Sequence, residues 1–66
     1  MGIFDLPVAW VYVIYENGNE ENVGNQDILS EKDAEWFKSR WDTPKNKVRR
    51  VELRINKDVV KSYKFS

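Results

Sequence analysis

Sixty-six residues make one domain with a small core, since a chain of this size buries only about 60% of its unfolded surface. The sequence holds no Cys and no His, which excludes disulfides, thiolate nucleophiles, imidazole acid–base chemistry and zinc sites of the usual ligands. Net charge is zero but segregated: residues 1–42 carry three basic and nine acidic side chains (3 − 9 = −6), and residues 43–66 carry eight basic and two acidic (8 − 2 = +6).

That segregation reads either as two halves attracting each other within one fold or as a charged face for a partner. No apolar run approaches the roughly 18 residues of a membrane span. No basic, apolar, small-residue pattern of a signal peptide opens the chain. The expectation is a cytoplasmic protein without a membrane partner.

In chain order, Met1–Leu6 is expected to pack Ile3, Phe4 and Leu6 onto the domain edge. Pro7 suits a strand's first residue, where no ladder donor is needed. Val8–Tyr15 is the stretch around which the rest is organised, eight apolar residues rich in β-branched and aromatic types. Apolar residues occupy both parities, which predicts a strand contacted on both faces. Asn17-Gly18 is a strong hairpin signal for a type I′ turn. A two-residue loop there pairs Tyr15 with Glu20, Val13 with Asn22 and Tyr12 with Val23. The return strand, about Glu20–Gly24, is short and polar, as an edge strand should be, and Glu20-Glu21 reads as a solvated edge.

Ser30 is expected to cap a helix of about eleven residues, with Asp33 three positions on in a variant of the capping box. Acidic residues in the first turns and Lys38 and Arg40 in the last match the helix dipole. Ala34, Phe37 and Trp41 form its apolar stripe. Trp36 sits beside that stripe; the favoured reading closes the core edge under the 24–29 loop, and the other makes it an exposed anchor. Thr43-Pro44 stops the helix. Lys47–Ile55 alternates as a half-buried strand with Val51, Leu53 and Ile55 inward. Val59–Phe65 returns. A three-residue Asn56-Lys57-Asp58 loop, preferred over Lys57-Asp58 alone, pairs Ile55 with Val59 and Val51 with Tyr63, placing Tyr63 and Phe65 in the core.

The fold class is therefore α+β: a single ββαββ domain, residues 8–65 after an N-terminal tail of 1–7, with a four-stranded antiparallel sheet in order 2-1-3-4 and one helix on one face. The helix leaves the other face bare. With the smaller β-branched set under the helix, the outward set is Trp10, Tyr12 and Ile14, beside Arg50, Glu52, Arg54 and Lys64.

Three readings suit that face. In the first, Arg50 and Arg54 lay their stems over Trp10 and Tyr12. In the second, the face is a protein interface, as a homodimer or a clamp on another protein. Alternatively, single-stranded nucleic acid stacks on Trp10 and Tyr12 with phosphates on Arg50, Arg54 and Lys64. The partner-binding candidates are Trp10, Tyr12, Ile14, Arg50, Arg54 and Trp36. Isolated glycines, serines without a His partner and no calcium-loop spacing give no catalytic motif, cofactor site, metal site or small-molecule substrate site. The expectation is a non-enzymatic protein-binding module.

In layout the chain resembles the small ββαββ and ββαβ proteins encoded by bacterial viruses and mobile elements. Within that set it is similar in order of elements to the small uracil-DNA glycosylase inhibitors of certain bacterial viruses, in which a short polar hairpin precedes a Ser-capped aromatic helix and a strand like Val48–Ile55. The resemblance implies a dimer that mimics DNA and grips a protruding apolar side chain of its target. Leu29-Ser30 and the helical Trp36, Phe37 and Trp41 are the positions that carry over. It covers the layout of residues 8–55 without a diagnostic motif. Those inhibitors are acidic, whereas this chain is neutral with a basic C-terminal half.

Overall fold

The apolar first strand does lie at the centre. In the computed structural model, which describes residues 8–65, the elements run β1 (Ala9–Tyr15), β2 (Glu20–Gly24), α1 (Glu31–Trp41), β3 (Val48–Ile55) and β4 (Asp58–Lys64). The strands form one antiparallel sheet in the order β2-β1-β3-β4. The expected packing of Ile3, Phe4 and Leu6 lies outside the described residues.

Alternation along β1 sends Val11, Val13 and Tyr15 towards the helix, where Val48, Val51 and Leu53 of β3 join Ile28, Ala34 and Phe37 in the buried core. Ala9, Val23, Trp41, Tyr63 and Phe65 are half-buried against it. Each fully buried aliphatic or aromatic side chain contributes about 1.5–3 kcal/mol. So few of them make a thin core.

The helix begins and ends where its local signals place it, but its first turn is held differently. The Ser30 side chain makes no capping hydrogen bond. Instead, Asp33 Oδ2 accepts the Leu29 N–H at 3.0 Å, so only the backward half of a capping box forms, one residue early. At the other end Asp42 ties helix to sheet. Its carboxylate accepts the Lys38 ammonium at 2.8 Å and the Val48 N–H at 2.6 Å.

Both hairpin turns differ from expectation. The β1–β2 loop has three residues, closed by Tyr15 N–H donating to Asn19 O and Gly18 N–H donating to Tyr15 O. Only Gly18 takes a positive φ (+93°), and Asn17 Oδ1 accepts the Asn19 N–H at 2.9 Å. This is a turn followed by a left-handed glycine rather than a type I′ pair. The register consequently moves by one: Ile14 faces Glu20, Val13 faces Glu21 and Tyr12 faces Asn22. At β3–β4 the positions reverse. Asn56 (φ 52°) and Lys57 (φ 72°) form a two-residue loop, pairing Ile55 with Asp58 and Arg54 with Val59. A bulge at Val60 then restores the expected pairing of Val51 with Tyr63.

Candidate functional site

The face turned away from the helix carries Trp10, Tyr12 and Ile14 from β1, as the alternation requires once Val11 and Val13 are buried. Cross-strand pairing sets Arg54 beside Trp10, Glu52 beside Tyr12 and Arg50 beside Ile14. On β4, Val59, Ser62 and Lys64 continue those three rows. On β2, Glu20 and Asn22 flank Ile14 and Tyr12.

Charge knits the middle of this face together. Glu52 is only 5% exposed. It accepts Arg50 Nε at 2.6 Å on Oε2, and Arg54 Nε and Nη2 at 3.1 and 2.8 Å on Oε1. Arg54 then reaches Glu20 in a two-pronged contact, Nη1 and Nη2 donating at 3.1 and 3.0 Å. Its guanidinium passes over the Tyr12 ring, 4.2 Å from the centroid. The hydrogen bond from Arg54 holds the Glu20 carboxyl below its usual range, and the same contact raises the Arg54 pKa further. Among the described residues two ion pairs, Arg54–Glu20 and Lys61–Asp27, join the acidic and basic halves of the chain.

Five of the six candidate residues are thus brought together, in unequal states. Trp10 remains 38% exposed, whereas Ile14 is 5% exposed between its cross-strand partners Glu20 and Arg50. Arg54 covers Tyr12; Arg50 turns to Glu52. Trp36 lies elsewhere, on the helix. It does not close the core edge: it is 59% exposed, meets Phe37 edge-on at 5.0 Å, and borders a small recess with Gln26, Asp33 and Phe37.

The expectation that Glu20-Glu21 is a solvated edge left Glu20 out of the candidate site. The observed register puts it beside Ile14, and Glu21 on the helix side, where it accepts the Tyr15 hydroxyl at 2.9 Å. Sequence reasoning also passed over the end of the face beyond Trp10. There a groove of about 540 Å³ is lined by Val8, Trp10, Tyr12, Arg54, Asn56 and Lys57. Val8 and Val59 are exposed at this end. The two-residue Asn56-Lys57 turn also brings Val59 opposite Arg54, onto this face, where the expected three-residue loop paired it with Ile55.

Among the described residues no helix is long and apolar enough to cross a membrane. No family model, no curated protein and no solved structure matches this chain.

Proposed function

We propose that this chain is a small non-enzymatic protein-binding module that docks through the Trp10 end of its open sheet face. On this reading it works in the cytoplasm as an adaptor or inhibitor of the kind bacterial viruses encode. The observation that carries the reading is exposed Val8 and Trp10 lining a groove, with exposed Val59 on the far side of Arg54, set against an ion-paired ladder that already fills the rest of the face. An apolar, aromatic centre with a satisfied polar surround is how protein interfaces are built.

Face docking is better supported than strand addition. β2 is short, carries Glu20 and Glu21, and bulges at Val23; β4 bulges at Val60 and carries Lys61 and Lys64. Such edges resist pairing with another strand. A nucleic-acid reading has less support, because Arg54 occupies the Tyr12 ring and both Arg50 and Arg54 already meet carboxylates. Lys64 alone is a poor phosphate track.

Sedimentation of the wild type at high micromolar concentration, with affinity capture and mass spectrometry of wild type against Trp10→Ala, tests the reading. Circular dichroism confirms that the variant folds. Self-association or a captured protein that is lost with Trp10→Ala supports docking. A strictly monomeric protein with no Trp10-dependent partner overturns it.

A further inference from the structure

We infer that the groove at the Trp10 end recognises a segment of a protein partner that sets a carboxylate beside an apolar side chain, the carboxylate meeting Lys57 and the apolar group meeting Trp10 and Val8. This deepens the docking reading and rests on it.

The backbone at Lys57 points to this. A two-residue turn with both φ angles positive suits Asn followed by Gly, since glycine enters the left-handed region freely and an L side chain does not. The chain places Asn56 and Lys57 there, at φ 52° and 72°. Lysine therefore occupies a strained position that glycine would fill without strain, and it stands at the lip of the groove. Backbone strain of this kind gathers at ligand clamps.

Charge identifies what the lysine would meet. Of the two cations lining the groove, Arg54 is saturated by Glu20 and Glu52. Lys57 is exposed, and among the described residues it pairs with no carboxylate. Its neighbour Asp58 pairs with Ile55, on the strand face towards the helix, and so lies on the other side of the sheet. Among the described residues the groove thus offers one ammonium without a carboxylate partner, next to the apolar surfaces of Val8 and Trp10, in a volume that suits a few side chains. A nucleic-acid strand would need a row of open cations. One carboxylate on an apolar segment fits better.

Panning a random-sequence peptide library over immobilised wild type, Trp10→Ala and Lys57→Gly tests the inference, with affinities of recovered peptides read by fluorescence polarisation. The wild type should recover peptides enriched in Asp or Glu next to Leu, Ile or Phe. Lys57→Gly should raise the thermal midpoint, because it relieves the turn, yet weaken those peptides about two- to fivefold, the scale of a solvent-exposed ion pair. A peptide with its Glu changed to Gln should bind wild type and Lys57→Gly equally. Peptides that need Trp10 but show no acidic enrichment, or that bind Lys57→Gly undiminished, overturn this inference and leave the docking reading standing. Should no recovered peptide depend on Trp10, the docking reading fails and takes the inference with it. A labelled single-stranded oligonucleotide that binds through Lys57 where no peptide does would assign the groove to nucleic acid and also overturn it.

Discussion

Glu52 should be the most sensitive polar position on the open face. Glu52→Ala removes the carboxylate that Arg50 and Arg54 share. Deleting one partner of a fully buried ion pair costs about 3–5 kcal/mol. Here Arg50 is 32% exposed and can turn to water, and Arg54, at 19%, keeps Glu20. Those outlets reduce the expected loss to about 1–2 kcal/mol. At roughly 4–8 °C per kcal/mol for a domain of this size, the melting temperature should fall by about 4–16 °C. Glu20→Ala alone removes a half-exposed partner and should cost about 0.5 kcal/mol. The double variant leaves Arg54 with neither carboxylate, so its loss should exceed the sum of the single losses by roughly 0.5–1 kcal/mol. Thermal and urea unfolding by circular dichroism measure all three. An unchanged melting temperature for Glu52→Ala, or single effects that simply add, would refute a shared network centred on Glu52.

Gly18→Ala should destabilise by about 1–2 kcal/mol, read from the urea midpoint. Nothing lies near the added methyl, so the loss comes from the +93° φ alone, and Gly18→Asn should recover part of it. Phe37→Ala should cost about 3–5 kcal/mol. That is a third or more of the roughly 3–10 kcal/mol of stability expected for a chain of this length, so the urea midpoint read by circular dichroism should fall by a comparable fraction. At Asp42 burial disfavours the charge, but the Lys38 ammonium, the Val48 N–H and nearby Lys47 outweigh it and hold the carboxyl below 3.8. A lowered folded value stabilises above pH 3.8 and is lost as pH falls through it. Acid titration of unfolding should therefore show a drop below pH 3.8 that Asp42→Asn, already less stable at neutral pH, shows in smaller measure.

Much of this architecture is legible along the chain because its determinants are local. Apolar residues at both parities of Val8–Tyr15 require a strand contacted on both sides. Thr43-Pro44 cannot continue a helix, and the Val51, Leu53, Ile55 alternation settles which side of β3 is buried. That Trp10 and Tyr12 share one face of β1, and Arg50 and Arg54 one face of β3, follows from those periods, but with apolar residues at both parities of β1 its outward face rests on placing the smaller side chains under the helix. Ser30 shows where local reading weakens: serine suits the position, yet the cap contact comes from Asp33. Trp36 shows a second limit. Its offset from the helix stripe is visible in sequence, but whether loop 24–29 covers it is decided by the loop's path.

Element order, the central place of β1 and the helix bounds were thus determined by the sequence itself, through periodicity and chain-breaking residues. The registers of both hairpins, the meeting of Glu20 with Arg54, and the groove between Trp10 and Lys57 were decided only in the tertiary structure. The physical reason is that register is set by whole ladders of hydrogen bonds and by packing across three strands, which no single turn dipeptide encodes. A slip of one residue there changes little locally and exchanges every side chain between the two faces.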